Sequence, residues 1–266
     1  MSEFGELRGT AMAAAAAGSA ALRPFLDGRR ALDVSPKSRH DFVTAADVAS
    51  ERAVAAAIRA AHPDHRILGE EESRASLDDP GFVWIVGPLD GTTNFIHGYP
   101  VFAVSVAVAR GGEVLAGVVA DVPRGEVYAA ARGEGATLDG APIRVSSRPG
   151  IADALIGTGF PFRKQDRLDK YLASFRAVVA DTAGIRRAGS AALDLCAVAA
   201  GRFDGFWEEG LGPWDMAAGA LLVEEAGGVV TDMRGGRRFL ASGAIVCGAP
   251  AVHRDLLALV RPHLGD

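Results

Sequence analysis

The sequence predicts an α/β (α+β) fold, and three observations carry that prediction. Apolar runs with glycines at their turns, such as "FVWIV" and "VFAVSVAVAR", follow one another in the first half of the chain. After a polar break at 146–153, "SSRPGIAD", strand and helix patterns alternate. Such alternation is typical of helices that cover a sheet. We therefore predict two parts, residues 1–148 and residues 149–266.

In the first part, the pattern predicts two helices followed by a meander of strands. The alanine-rich "TAMAAAAAGSAAL" favours a first helix. Thr44 and Asp47 have capping-box spacing before a second helix, which Pro63 ends. "RILGEEES" predicts a short strand that leads into a group of acids. The runs "FVWIV", "VFAVSVAVAR", "EVLAGVVADV" and "EVYAAARGEGATLDG" predict strands that pair antiparallel.

In the second part, strands and helices alternate to the end of the chain. "ALIGTGF" predicts a strand, and helices follow near 166–182 and 189–200. "FDGFWEE" predicts the next strand, before a helix in "PWDMAAGALLVEEAGG". The runs "VVTDM" and "AIVCG" predict two more strands, and "AVHRDLLALVRPHL" predicts a closing helix. This part should form a sheet with helices against it.

Composition excludes several classes of partner. The chain has 266 residues, a formal net charge of -5 and three lysines. This charge balance argues against direct nucleic-acid binding and against binding to an anionic membrane. No run approaches the ~18 apolar residues of a membrane span, and acids precede the alanine-rich opening, so we expect a cytoplasmic protein. Cys196 and Cys247 have neither disulfide nor zinc spacing and are expected to be buried thiols.

Three acidic sites stand at the ends of predicted elements, where their side chains are free to converge. They are Glu70–Glu72, Asp90 in "GPLDGTT", and Asp215 at the start of the "WDMAAG" helix. Carboxylate and carbonyl oxygens are the ligands of a hard cation such as Mg²⁺. The hydroxyls and backbone N–H groups of "DGTT" suit a phosphate group. Phosphate ester hydrolysis is therefore the reaction class that these residues suggest.

Each acid also has a simpler interpretation when it is taken alone. Asp215 at a helix start is favoured as a cap, and Asp90 with Gly91 is a common turn pair. Consecutive glutamates usually form a solvated edge. Pattern and spacing therefore leave the choice between structural and catalytic roles open.

Two motifs resemble the signatures of the inositol monophosphatase family. "WIVGPLDGTTNFIHG" is similar to the first signature and "PWDMAAGALLVEEAGG" to the second. "DFVTAAD", "LGEE" and "RRAGSAALDLCAVAAGRFDGFWEEGL" also match in order, so the likeness covers nearly the whole chain and is closest to the bacterial branch. It implies a layered α/β/α/β/α sandwich and a homodimer. It also implies lithium-sensitive hydrolysis of inositol monophosphate or a related sugar phosphate with two or three Mg²⁺ ions.

The resemblance also implies roles for individual residues. Glu70 would hold the ion beside the attacking water, with Glu71 as second choice because "GEEES" has one acid more than usual. The Leu89 carbonyl would bind the same ion, while Asp90 and Asp215 would hold another beside the leaving group. Thr92 would orient the water, which makes Glu70, Asp90 and Thr92 the predicted catalytic residues. The residues expected to bind phosphate or substrate are Gly91, Thr92, Thr93, Ser190, Ala191 and Glu208. Asp47 and Lys37 are expected behind the metal ligands.

Gly87 departs from the family pattern at a central position. The first signature begins with an aspartate that would bridge two ions, and a glycine offers no side-chain oxygen in its place. Two nearby cations would then lack a shared anion that offsets their repulsion. We predict that the chain has the fold and the substrate pocket but impaired hydrolysis.

Other functions remain open from the sequence. Related branches of the family share the core motifs and act on nucleotide bisphosphate, fructose bisphosphate or histidinol phosphate. A different class is a non-catalytic regulatory protein, since some bacterial members bind the transcription machinery, RNA polymerase included. The basic residues of "FRK" at 162–164, with Arg186 and Arg187, are compatible with such a surface or with ordinary ion pairs.

Overall fold

Five layers, in the order helix, sheet, helix, sheet, helix, make up the fold. The computed structural model describes residues 2–26, 34–38, 41–73, 75–161 and 165–265. Helices α1 and α2 cover the outer face of the first sheet, α5 and α6 lie between the sheets, and α4 and α8 cover the second sheet. The predicted layered sandwich is confirmed. The helices are α1 (Glu3–Leu22), α2 (Ala45–Ala61), α3 (Thr92–His97), α4 (Leu168–Ala180), α5 (Ala191–Ala199), α6 (Pro213–Glu225), α7 (Phe239–Ser242) and α8 (Pro250–Leu264).

The first sheet has seven strands in sequence order, β3 to β9. Strands β3 and β4 are parallel, whereas the remaining neighbours pair antiparallel, as the sequence predicts for them. Strand β5 is buried along nearly its whole length because helices cover both faces of the sheet. The strands are β3 (Arg66–Gly69), β4 (Phe82–Asp90), β5 (Ala103–Arg110), β6 (Glu113–Asp121), β7 (Glu126–Ala131), β8 (Ala136–Leu138) and β9 (Ala141–Pro142). A separate two-stranded ribbon joins β1 (Val34–Ser38) to β2 (Asp41–Thr44).

The second sheet has five strands in the order β11-β10-β12-β14-β13. Strand β10 is parallel to both its neighbours, and β14 is antiparallel to both of its own. The strands are β10 (Leu155–Thr158), β11 (Gly184–Arg186), β12 (Gly205–Glu209), β13 (Val229–Thr231) and β14 (Ala244–Gly248). The three-residue edge strand β11 was not predicted from the sequence.

Helix α6 packs unusually close to its neighbours because small residues face it. A Cβ atom at Gly117 on β6 would stand 2.8 Å from the Cα of Ala218, and one at Gly219 would stand 2.6 Å from the Cβ of Leu195 on α5. Strands of the first sheet come from residues before 148 and those of the second from residues after 149. One apolar core nevertheless includes residues of both parts around α5 and α6. The division into two domains stays a prediction.

Two further expectations concern buried thiols and membranes. Cys196 and Cys247 are free and buried, as predicted. Burial raises the pKa of both thiols, which keeps them protonated and inert. Within the described ranges, no helix combines the length and apolarity needed to cross a membrane.

An ion pair joins β7 to the turn after α5. Arg202 donates two hydrogen bonds of 2.7 Å to the Glu126 carboxylate, and the Tyr128 hydroxyl donates a third at 2.7 Å. The bonds from Arg202, together with the one from Tyr128, outweigh the opposing effect of burial and lower the pKa of Glu126 to about 2. The charged carboxylate is therefore the form that stabilises the fold.

We expect Glu126→Gln to remove a stabilisation that depends on pH. The folded pKa lies below the unfolded value, so the contribution is present above about pH 4.5 and is lost as pH falls towards about 2. Because the pair is partly exposed, its contribution should be about 1 kcal/mol. Urea unfolding of both proteins at about pH 6 and about pH 3 measures the difference. Glu113→Gln, which removes an exposed carboxylate 3.6 Å from Arg132, is the control and should change the stability at about pH 6 by less than about 0.5 kcal/mol. An equal loss for Glu126→Gln at both pH values contradicts this assignment.

Candidate active site

A cleft of about 1050 Å³ opens where β4 and β12 end and where α3, α5 and α6 begin. It collects most of the residues that the sequence analysis singled out. Those that line it are Glu70, Leu89, Asp90, Gly91, Thr92, Thr93, Ala191, Glu208 and Asp215. Asp47 and Ser190 are buried beside it. Lys37 belongs to β1, but its side chain lies outside the described part of the chain, as do residues 162–164.

The three consecutive glutamates after β3 point to different partners. Of Glu70 and Glu71, it is Glu70 that lines the cleft. Glu72 accepts two hydrogen bonds from the exposed Arg52, at 2.6 and 2.9 Å, and this pairing lowers its pKa. The simple interpretation of a solvated acidic edge therefore holds for Glu72.

Glu51, which the sequence analysis did not single out, holds the turn that follows Glu70. This α2 side chain is 1% exposed and accepts hydrogen bonds from the amides of Glu71 (2.6 Å), Glu72 (2.9 Å) and Ser73 (2.8 Å). A side chain at Gly69 would overlap the Glu51 carboxylate, so a glycine is required there. Helix α2 thus fixes the backbone that carries Glu70.

Strand β4 ends in an irregular turn that delivers Asp90 and Thr92 to the cleft. The register of β4 with β5 shifts between Gly87 and Asp90. Gly91 follows with φ 93°, and a Cβ there would lie 2.8 Å from the Val101 carbonyl oxygen, so two constraints require glycine. The Thr92 hydroxyl stands 3.0 Å from Asp47 Oδ1 and 3.1 Å from the Leu89 carbonyl oxygen, both acceptors.

Asp47 links the start of α2 to this turn. Its carboxylate accepts bonds from the Thr44 amide (2.8 Å) and hydroxyl (2.6 Å), which completes the capping box predicted from the sequence. Since the same carboxylate contacts Thr92, Asp47 positions a hydroxyl in the cleft. Its expected place behind metal ligands stays a prediction.

Asp90 joins β4 to the start of α5. Its Oδ2 atom accepts bonds from the Ser190 hydroxyl at 2.6 Å and from the Ala192 amide at 2.8 Å. Ser190 is the N-cap of α5, and its Oγ also accepts from the Leu193 amide. Ser190 therefore orients Asp90 from behind the cleft wall.

Asp215 combines the two roles that the sequence left open. Its Oδ2 accepts a bond of 2.7 Å from the Gly212 amide, which caps α6, while the residue also lines the cleft. Gly87 lies against the same helix start, because a Cβ added there would stand 3.1 Å from the Trp214 carbonyl oxygen. Residue 87 therefore adjoins the start of the helix that carries Asp215.

Acidic groups give the cleft a negative potential near Asp90 and Asp215. Glu208 sits at the end of β12, and a side chain at Gly159 would overlap its carboxylate. Asp194 is buried on α5 below it. Burial first, and then the charges of Glu208 and Asp90, raise the pKa of Asp194 well above its usual value.

Cationic and amide side chains line other parts of the cleft, and the sequence analysis gave them no role in it. Arg167 donates a bond of 2.6 Å to Glu209. Arg187 also lines the cleft, although the sequence analysis treated it as a surface residue. Its Cζ atom lies 5.2 Å from the centre of the Phe160 ring. Asn94 of α3 donates to the carbonyls of Val101 and Ala188 at 2.8 and 2.9 Å. These residues lie far apart in sequence, and no spacing pattern could group them.

The donor set is of the type that Mg²⁺ prefers. Glu70, Asp90 and Asp215 supply carboxylates to one cleft, and the Leu89 backbone supplies a carbonyl. A phosphate beside these acids would be repelled, by about 4 kcal/mol for two unit charges about 4 Å apart at an effective dielectric constant of about 20. A divalent cation offsets that repulsion. Across the described ranges, however, no three His, Cys, Asp or Glu side chains form a group spaced to hold a metal ion. The residues thus fit a hard cation in chemistry.

Comparisons with known proteins agree with this geometry. The model of the inositol monophosphatase family matches residues 5–264. The chain is 52% identical over 237 residues to a protein named Nus factor SuhB from Pseudomonas aeruginosa, covering 88% of each chain. It is 48% identical over 230 residues to an inositol-1-monophosphatase from Rhizobium meliloti, covering 86% of each. The crystal structure of the extragenic suppressor protein suhB from Bartonella henselae superposes with a TM-score of 0.91 at 40% identity, covering 96% of this chain and 98% of that one. The chain belongs to the inositol monophosphatase family.

Proposed function

We propose that this chain is a Mg²⁺-dependent phosphomonoesterase of inositol monophosphate or a related sugar phosphate, with activity impaired at Gly87. The observation that carries the proposal is the convergence of Glu70, Asp90 and Asp215 with the Thr92 and Thr93 hydroxyls in one cleft. Family membership supports a phosphatase, and a relative named inositol-1-monophosphatase supports the substrate. Homodimer formation, cytoplasmic location and lithium sensitivity belong to the same proposal.

The reaction adds water across the ester bond. The water oxygen forms a new bond to phosphorus, the phosphorus–oxygen bond to the alcohol breaks, and the alcohol oxygen gains a proton. Mg²⁺ held by Glu70, Asp90, Asp215 and the Leu89 carbonyl would supply charge neutralisation and polarise water. The side chains of the cleft position the reactants.

Thr92 and Glu208 have distinct tasks in this proposal. The Thr92 hydroxyl donates a hydrogen bond to Asp47. The lone pairs of its oxygen can then accept a hydrogen bond from the water. The residues of the turn at 91–93 would receive the phosphate. Glu208, which also lines the cleft, would accept hydrogen bonds from substrate hydroxyls.

We expect Asp90→Asn to lower phosphate release from inositol 1-phosphate by at least about 10- to 100-fold, because it removes a charge that the cation needs. Phosphate is measured with and without EDTA for both proteins, on a panel that also includes fructose 1,6-bisphosphate, adenosine 3′,5′-bisphosphate and histidinol phosphate. Asp78→Asn, which changes an exposed aspartate in a turn after β3, is the matched control and should keep full activity. Activity that EDTA and Asp90→Asn both leave unchanged contradicts the proposal.

The likeness to Nus factor SuhB favours one further candidate, a regulatory protein that binds RNA polymerase. In that case the fold is kept for its surface rather than for its cleft. Pull-down of RNA polymerase by the unmodified chain and by an Asp90→Asn, Asp215→Asn double variant tests it. Binding that is equal for both supports this function, and absence of a complex contradicts it.

A further inference from the structure

The cleft extends well beyond the candidate reaction centre. It continues past Tyr171 to the turn at 232–238, where Asp232, Met233, Arg234 and Arg238 line it. Its volume of about 1050 Å³ lies at the upper end of the ~300–1,000 Å³ typical of ligand pockets. There is room for a ligand larger than a simple sugar monophosphate.

A buried carboxylate holds this turn in shape. Asp232 is 9% exposed and accepts bonds from the amides of Arg234 (2.8 Å), Gly236 (2.9 Å) and Arg238 (3.3 Å). The Asp232 amide donates in return to the Gly236 carbonyl at 2.8 Å. The negative charge of Asp232 is thus directed into the backbone of its own turn, which presents two arginines to the cleft.

The two arginines differ from the other cations nearby. Arg234 and Arg238 are exposed, and within the described residues neither guanidinium group has an ion pair or a side-chain hydrogen bond. Arg167, also in the cleft, is paired with Glu209 at 2.6 Å. Arg237, between the two in sequence, does not line the cleft and reaches Glu224 at 3.2 Å. Asp232 lies near enough to attract Arg234, but its carboxylate accepts three backbone amides and forms no ion pair with either arginine. Two guanidinium groups in one cleft, neither of them held in an ion pair with a described residue, form a receptor for an anion.

Part of the cleft lining suits the organic part of a ligand. Tyr171, Met233 and Leu264 are each 3% exposed and supply apolar surface there. A phosphate at the Thr92 end and a second anionic group at the arginine end would be joined by a carbon skeleton against this apolar surface.

We propose that Arg234 and Arg238 form a second anion subsite, so that the preferred substrates are phosphate esters with a distal phosphate or carboxylate group. This proposal rests on the proposed phosphatase function, whose reaction centre occupies the other end of the same cleft. Guanidinium groups bind both kinds of anion by paired hydrogen bonds. Electrostatic attraction makes the preference weaker at high salt.

Calorimetric binding of fructose 1,6-bisphosphate and of fructose 1-phosphate tests the subsite, since the two ligands differ in the distal phosphate alone. The unmodified chain should bind the bisphosphate at least about tenfold more tightly. The Arg234→Gln, Arg238→Gln double variant should lose that difference while its affinity for fructose 1-phosphate stays within about twofold. Arg237→Gln, in the same turn but outside the cleft, should keep the difference.

The outcomes separate the subsite from the reaction. Equal affinity of the unmodified chain for both ligands, or equal loss in Arg237→Gln and the double variant, overturns the subsite. Phosphate release is measured separately, on the unmodified chain and on its Gly87→Asp variant. An arginine-dependent preference with no phosphate release from either protein supports the subsite and contradicts the phosphatase. Phosphate release without such a preference supports the phosphatase and contradicts the subsite. If neither ligand binds, the subsite and the phosphatase function are both contradicted.

Discussion

Replacing Gly87 with aspartate is expected to raise Mg²⁺-dependent phosphate release by about 100-fold or more. The resemblance to the family places a carboxylate here that two ions share. The structure places residue 87 in a buried position beside the start of α6, the helix that carries Asp215. One added carboxylate would therefore complete a partly formed ligand set.

The structure accommodates this substitution. Gly87 is not among the glycines with left-handed backbone, so an L side chain is allowed there. Its Cβ would lie 3.1 Å from the Trp214 carbonyl oxygen and 3.5 Å from the Cβ of Ser105. The Ser105 hydroxyl donates to that carbonyl at 2.9 Å, and a shift of a few tenths of an ångström relieves the contact.

Phosphate release from inositol 1-phosphate is measured for both proteins with and without EDTA. Gly87→Asn is the matched control, because it has the size of aspartate without the charge and should bring no gain. A second measurement is the thermal midpoint with and without Mg²⁺. We expect aspartate to lower the midpoint in EDTA, where a buried charge has no partner, and Mg²⁺ to restore it. Equal activity of the parent and Gly87→Asp would mean that another acid compensates.

Replacing Glu51 with glutamine is expected to weaken Mg²⁺ binding by about 10- to 100-fold in the Gly87→Asp protein. Three backbone amides donate to the two carboxylate oxygens of Glu51. A glutamine keeps one of these oxygens and replaces the other with an NH₂ group, which cannot accept a hydrogen bond from a backbone amide. The turn after Glu70 should loosen, and stability should fall by about 1–3 kcal/mol. Glu70 would then be held less firmly at the ion.

Magnesium titration by calorimetry and hydrogen exchange at residues 71–73 measure the two effects. Arg52→Gln is the control, because it removes the exposed ion pair to Glu72 on the same turn and should leave Mg²⁺ affinity unchanged. Faster exchange at these amides with unchanged Mg²⁺ affinity would assign Glu51 to stability alone.

Most of the fold could be predicted from the sequence because its elements are long and clearly bounded. The strands of the first sheet are apolar runs between glycines, and Thr44 with Asp47 marks the start of α2. Strand β11 has three residues, and two of them are part-buried, so no periodic pattern reveals it. It forms because β10 offers a parallel edge, which is a tertiary effect.

The candidate site was predictable where its residues stand at the ends of elements. Glu70, Asp90 and Asp215 do so, and each lines the cleft. Glu51 was missed because a glutamate in the middle of a helix is usually exposed to solvent. Its burial arises from the turn after β3, which no local pattern connects to α2. Arg234 and Arg238 were missed for a similar reason, since the packing of Asp232 decides where their turn faces.

The close packing of α6 has a consequence for how this chain tolerates change. Its backbone touches β6 at Gly117 and α5 at Leu195, so added volume at either place shifts the whole helix as a rigid body. Asp215, in the first turn of α6, moves with the helix. A methyl group at residue 117, in the middle of a strand, would therefore displace the Asp215 carboxylate in the cleft. Added volume along the buried length of α6 would thus disturb the cleft from a distance, without touching any residue that lines it.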